Sequence, residues 1–179
     1  MKIRTISDLS NHADVDFLKR GLSLVTEEHL LVNYHPDYAD NTGNLFYILK
    51  YGRFSNSSYY VMETDLGEFA GSAGWNPMDS NIALGLVRAY IPKQFRAQFL
   101  MAEHLLPKIL EETANYSKLW ITFNEYNLRI YNGLKRMSEN KPSGVAIPWP
   151  RIYSKFKPIG MHQVNNTSQY VAEYERHPE

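Results

Sequence analysis

The chain has 179 residues, 44% of them hydrophobic, and its 19 lysines and arginines are balanced by 19 aspartates and glutamates. That length suits one domain, residues 1–179, with a core of its own, and zero net charge supplies no general field to draw in nucleic acid or an acidic membrane surface. The absence of cysteine excludes disulfides, thiolate catalysis and cysteine-based zinc sites.

Met1-Lys2-Ile3-Arg4-Thr5 has no apolar signal core, and no stretch approaches the ~20 apolar residues of a membrane span, so a cytoplasmic location is the expectation. Lys2–Ile6 alternates and predicts a short first strand. Ser7 or Asp8 is placed to cap a following amphipathic helix that carries Val15, Phe17, Leu18, Leu22 and Leu24. Tyr34–Gly43 reads as loop, and Asn44–Tyr51 as a second short helix. The pattern then turns to strands: Tyr59–Glu63 and Glu68–Trp75 flank Asp65-Leu66-Gly67, a hairpin turn in which glycine accepts positive φ. A turn at Asn76–Asn81 leads into Ile82–Ile91, a nearly continuous apolar strand.

Phe99, Ala102, Leu105, Leu106, Ile109 and Leu110 recur at helical spacing within Gln98–Ala114, a helix that Pro107 is expected to kink. Lys118–Phe123 alternates, with Leu119, Ile121 and Phe123 on one face. Asn124 opens a helix to about Met137, Glu139–Gly144 is a loop, and Ile152–Phe156 reads as one helical turn. Strands near Ile159–Val164 and Gln169–Glu175 flank a turn at Asn165-Asn166. The strand-helix-strand unit from Ile82 to Phe123 should be parallel and right-handed, and the hairpins beside it make the sheet mixed. This is an α/β fold.

A helix N-terminus offers unpaired N–H groups and a favourable dipole to anions. The strand-loop-helix at Tyr90–Met101 is placed to set the N–H groups of Ala97 to Met101 around a phosphate, with Arg96 adding charge-assisted bonds. The same residues also suit a buried strand entering a core helix, with Arg96 solvated. Asn127 and Tyr131 stand four apart and share a helix face. A plain helix cap at Asn124 and a core aromatic at Tyr131 are the alternatives. His12, His29, His35, His104, His162 and His177 form no pair at ligand spacing, so no metal site is expected. The crowd of Tyr34, Tyr38, Tyr47, Tyr51, Tyr59 and Tyr60 suits either a pocket wall or core and loop anchors.

The stretch Arg88-Ala89-Tyr90-Ile91-Pro92-Lys93-Gln94-Phe95-Arg96-Ala97-Gln98-Phe99, followed by Asn124-x-x-Asn127-x-x-x-Tyr131, resembles the acyl-CoA-binding core of the GNAT N-acetyltransferase superfamily. The resemblance runs from about Tyr59 to the C-terminus and is best in Ile82–Tyr131. It implies a central twisted mixed sheet flanked by helices, with a V-shaped acyl-CoA cleft between the strands ending at Ile91 and Asn124. It implies that Ala89, Tyr90 and Ile91 pair with pantetheine and that Arg96, Ala97, Gln98, Phe99, Leu100 and Met101 surround the pyrophosphate, with Asn124 and Asn127 also on the CoA side. Phe99 and Met101 stand where the family pattern Arg/Gln-x-x-Gly-x-Gly/Ala has small residues.

The implied activity is transfer of an acetyl or small acyl group from acetyl-CoA to an amine, a small molecule being the broadest acceptor class. Tyr131 would protonate the departing thiolate, whose reference pKa of about 8.5 lies below the ~10 of tyrosine. A backbone N–H of Ala89–Ile91 would hold the oxyanion, and Glu63, Glu68 or Glu125 would take the ammonium proton. No nucleic acid or membrane partner is expected. The alternative is a GNAT-shaped binding module without acyl transfer, its phosphate cradle filled by Phe99 and Met101. Self-association as a homodimer through the C-terminal strands is left open.

Overall fold

The computed structural model describes residues 1–6, 11–31, 58–96, 98–123, 128–139 and 149–176, with backbone alone for 25–31. The expected cap residues Ser7 and Asp8, the loop Tyr34–Gly43, the helix Asn44–Tyr51 and the loop beyond Glu139 lie outside the described residues. These contain seven strands in the hydrogen-bonded order β1-β2-β3-β4-β5-β7-β6 and three α-helices, an open mixed sheet. The chain gathers into two compact units, one of Met1–Trp75 with Arg88–Met101, the other of Asn76–Val87 with Ala102–Glu179.

In the first unit, β1 (Lys2–Ile6) pairs antiparallel with β2 (Ser58–Glu63), and β2 with β3 (Phe69–Pro77). Their hairpin turns through Gly67 at φ 80, with Thr64 and Glu68 closing it by backbone bonds. α1 (His12–Leu31) starts at Asn11, which caps it: the Asp14 N–H donates to Asn11 Oδ1, and Asn11 Nδ2 donates back to Asp14. Val15, Leu18 and Leu22 are buried as their spacing predicts, whereas Leu24 is 53% exposed, two positions past Leu22 and off that face. The core joins Ile6, Leu18, Leu22, Tyr59, Val61, Phe69 and Tyr90, each large apolar side chain contributing roughly 2 kcal/mol by burial. Gly21 lets α1 lie directly on β3, since a Cβ there would stand 2.1 Å from the Phe69 ring.

In the second unit, the start of β4 (Ile82–Tyr90) runs parallel to β5 (Lys118–Phe123), β5 pairs antiparallel with β7 (Thr167–Glu175), and β7 with β6 (Lys157–Val164). The expected kinked helix is a π-helical turn, Met101–Leu105, that becomes α2 at Leu106–Glu112. Pro107 lies in the first turn of α2, where its missing N–H leaves nothing unsatisfied, and the wider turn before it accommodates the ring. Ala102, Leu105, Leu106 and Ile109 are buried, and so are Leu119, Ile121 and Phe123 on the predicted face of β5. Arg176 closes the end of α2, donating to the carbonyls of Leu110 and Tyr116 and to Thr113 Oγ1. α3 spans Leu128–Ser138, and a short 3-10 helix spans Arg151–Lys155. Among the described residues no helix is long and apolar enough to cross a membrane.

Candidate functional site

β4 is where the backbone departs from an ordinary strand. Its ladder with β5 holds four residue pairs and stops at Gly85↔Ile121, although β5 goes on pairing with β7 as far as Phe123↔Tyr170. Just past the last pair, Leu86 has φ 54 and Arg88 has φ 49. Left-handed backbone at a non-glycine residue costs about 1–3 kcal/mol, so something must hold it there. The strand predicted for Ile82–Ile91 is found at Ile82–Tyr90, and it carries within it an irregularity that leucine and arginine do not announce.

In the first unit, the turned peptide is held from below by a buried tyrosine. The Tyr59 hydroxyl donates to the Arg88 carbonyl at 2.8 Å and meets Ser72 Oγ at 3.1 Å. A phenol has one proton, so with Arg88 as acceptor the Ser72 hydroxyl donates to Tyr59. Tyr59 and Ser72 have no exposed surface. Burial pushes the phenol well above its ordinary range, and it stays a neutral donor. Tyr59 reaches β4 because Gly74 faces it on β3: a Cβ on Gly74 would lie 2.7 Å from the Tyr59 ring and 2.5 Å from the Ser58 carbonyl oxygen. Gly71, at φ 148, similarly lets the Tyr90 carbonyl approach to 2.9 Å of where its Cβ would be.

Beyond β4, Ile91 and Pro92 lead to a 3-10 turn, Lys93–Phe95, and Arg96 leaves it in extended conformation at φ −68, ψ 153. Arg96 Nε donates to the Ile91 carbonyl at 3.1 Å, bracing the loop on its own backbone. Ala97 lies outside the described residues. Gln98 is exposed, its Nε2 donating to the Gln94 carbonyl. The helix predicted from Gln98 begins instead after Phe99, which stands at φ 53 and interrupts any helical run. Phe99, which the sequence resemblance sets at the first glycine of the family pattern, takes the left-handed conformation that glycine adopts freely. The resemblance sets Met101 at the second. It is 5% exposed, with its methyl 3.2 Å from the Cβ position of Gly71, so its bulk enters the core of this unit. Leu100 is buried too.

In the second unit, Tyr131 on α3 is 5% exposed. Its ring lies 5.8 Å from Phe123 and 5.0 Å from Tyr170, both tilted contacts. Its hydroxyl oxygen accepts the Gly160 N–H at 3.0 Å. Gly160 has φ 84 and follows a register shift between β6 and β7, which turns that N–H out of the ladder and toward the tyrosine. Asn124, Asn127 and Glu125 lie outside the described residues. Of the other carboxylates, Glu63 is held by Arg4, which also pairs with Asp14 at 2.7 Å, and Glu68 is exposed on the hairpin.

Sequence reasoning missed the Tyr59–Ser72–Arg88 group, which joins three strands. The one signal for it was a tyrosine within the aromatic crowd and a run of small residues, Ala70-Gly71-Ser72-Ala73-Gly74, on the next strand. It also missed a cavity of about 380 Å³ in the first unit, lined by Arg4, Phe17, Arg20, Gly21, Leu24 and Phe69 among others.

No protein-family model and no curated protein sequence matches the chain. Solved structures match its fold. An acetyltransferase from Streptococcus agalactiae 2603 superposes with a TM-score of 0.60 at 11% identity, over 97% of this chain and 98% of that one. The PaiA N-acetyltransferase from Thermoplasma acidophilum, in complex with coenzyme A, gives 0.55 at 13% identity over 98% and 100%. A GNAT-family acetyltransferase from Staphylococcus aureus Mu50 gives 0.53 at 13% over 97% and 100%. The chain has the GNAT fold, as the sequence resemblance implied.

Proposed function

We propose that this chain of GNAT fold is an acyl-CoA-dependent N-acyltransferase, moving an acetyl or other small acyl group from acetyl-CoA to a small-molecule amine, with residues 1–179 working as one domain. The observation that carries this reading is the end of the β4–β5 ladder at Gly85↔Ile121, with both strands continuing beyond it. In this reading Ala89, Tyr90 and Ile91, beyond the end of that ladder, lie along an amide-rich arm such as pantetheine. In this reading the turn after the left-handed Phe99 takes the pyrophosphate, where the helix N-terminus offers N–H groups to an anion.

In this reading the amine lone pair attacks the thioester carbonyl carbon, the C–S bond breaks, and its electron pair leaves with sulfur. A backbone N–H in Ala89–Ile91 bonds the oxygen as charge develops there. Tyr131 protonates the thiolate: its oxygen already accepts the Gly160 N–H, so its own O–H is the group left to donate. The surplus proton of the amine leaves to water or to a carboxylate. Glu63, held by Arg4, is the weaker candidate, and Glu68 is the exposed one.

Calorimetric titration with acetyl-CoA tests the reading. Saturable binding is expected, and no binding at millimolar ligand by folded protein removes it. Tyr131→Phe should lower thiol release with a working amine by about a hundredfold while acetyl-CoA affinity stays nearly constant. Undiminished turnover would mean that water or another acid protonates the sulfur. A second reading, the non-catalytic module, is favoured by Arg96 bracing Ile91 and by the low exposure of Tyr131. It expects neither CoA binding nor thiol release with any amine.

A further inference from the structure

We infer that Tyr59 is a positioning residue for acyl transfer, fixing the Ala89 N–H as the donor to the acyl carbonyl oxygen. The inference rests on the acyltransferase reading and adds to it a residue that touches neither acyl-CoA nor acceptor. A trans peptide is planar, and its C=O and N–H point in opposite directions. Among the described residues there are no cis peptide bonds, so the direction of the Arg88 carbonyl dictates that of the Ala89 N–H. Arg88, at φ 49, has turned that peptide out of regular strand geometry, and the Tyr59 hydroxyl takes its carbonyl at 2.8 Å. The Ala89 N–H is thereby aimed away from Tyr59. Without the phenol, nothing in the sequence of this strand would favour the turned peptide over the ordinary one, because arginine gains nothing at positive φ.

The rest of the group serves this one bond. Ser72 donates to the phenol oxygen, which leaves the phenolic proton to Arg88 and polarises it toward that carbonyl. Gly74 lets the ring cross β3 to reach β4. A tyrosine packed only for its ring would not need a hydroxyl in a site with no exposure, where an unpaired one is costly.

The test uses the full chain and acetyl-CoA labelled with carbon-13 at the thioester carbonyl. On the wild-type protein the carbonyl resonance should move downfield of free acetyl-CoA, the sign of a hydrogen bond to its oxygen. Tyr59→Phe should return it at least halfway to the free value while acetyl-CoA affinity changes less than about twofold. A role in folding alone would lower affinity and leave the resonance of the bound fraction where it was. Should Tyr59→Phe fail to fold, the wild-type Ala89 amide proton gives the answer: it should shift downfield with acetyl-CoA and not with CoA. An unchanged resonance in Tyr59→Phe, or equal Ala89 shifts with both ligands, overturns the inference and leaves the acyltransferase reading standing. No binding of acetyl-CoA by the wild type overturns both.

Discussion

The β6–β7 hairpin and the stretch from Leu86 to Phe99 both place residues other than glycine at positive φ, and they do so for different reasons. Asn165 and Asn166, at φ 49 and 65, form a two-residue turn between the paired Val164 and Thr167. Both angles match the type I′ turn that fits the twist of adjoining strands, and asparagine tolerates them. Leu86, Arg88 and Phe99, at φ 54, 49 and 53, sit in a strand and a loop where nothing local asks for such angles. Leucine, arginine and phenylalanine enter this region at real cost. At the hairpin the chain turns because its own residues favour turning. At Arg88 it is held in shape by a contact from elsewhere, the Tyr59 hydroxyl on its carbonyl, and stored strain of this kind gathers at functional sites.

If contacts from elsewhere hold β4, removing their route should have the largest effect. Gly74→Ala sets a methyl against the Tyr59 ring and the Ser58 carbonyl, so the ring must leave or the strands must part. Either way Arg88 loses its donor, and a stability loss of about 3 kcal/mol in urea unfolding is the expected outcome. A loss under about 1 kcal/mol would mean that the ring does not cross β3 at that glycine, and the comparison would lose its strongest term.

Phe99 offers a test of sign. Phe99→Ala and Phe99→Gly remove the same ring, and in most settings alanine is the more stable of the two because it has less conformational freedom to lose. At φ 53 the order should reverse, with glycine the more stable by about 1 kcal/mol. Thermal unfolding of the pair decides it. Alanine ahead would place Phe99 in an ordinary conformation and dissolve the tie between this residue and the glycine of the family pattern. If the reversal holds, acetyl-CoA titration of Phe99→Gly adds whether the smaller residue also lets phosphate approach more closely.

The same contrast decides what could be read from the residues alone. β1 and β5 run over Lys2–Ile6 and Lys118–Phe123 as predicted, because alternation is a local signal. Asn165-Asn166 was legible as a turn for the reason that makes it inexpensive. The turned peptide at Arg88 was not, since the hydroxyl on its carbonyl belongs to a tyrosine 29 residues earlier that reaches it past a glycine on the strand between them. The start of α1 was missed because Asn11 competed with two earlier cap residues, and the π turn because spacing gives apolar faces but not which carbonyl each N–H will choose. Among candidate site residues, Tyr131 was singled out by the family resemblance, with a core aromatic as the alternative. Its bond to Gly160 was not legible, because that depends on a register shift in a distant hairpin.

The smallest expected effect calibrates the others. Asn166→Gly puts glycine at the second turn position, giving the Asn-Gly pair most favoured in type I′ turns. Since asparagine already tolerates φ 65, the change should raise stability by only about 0.5 kcal/mol. The side chains of the turn are exposed, so the measurement reads backbone preference almost free of packing. That makes it a ruler for the Phe99 pair: a glycine advantage at Phe99 well above the one at Asn166 measures strain that asparagine would have avoided. Should the two advantages come out equal, the backbone at Phe99 is under no more strain than an ordinary hairpin turn. The distinction between a turn its own residues favour and a loop held in place from outside would then fail at Phe99, leaving Leu86 and Arg88 to carry it.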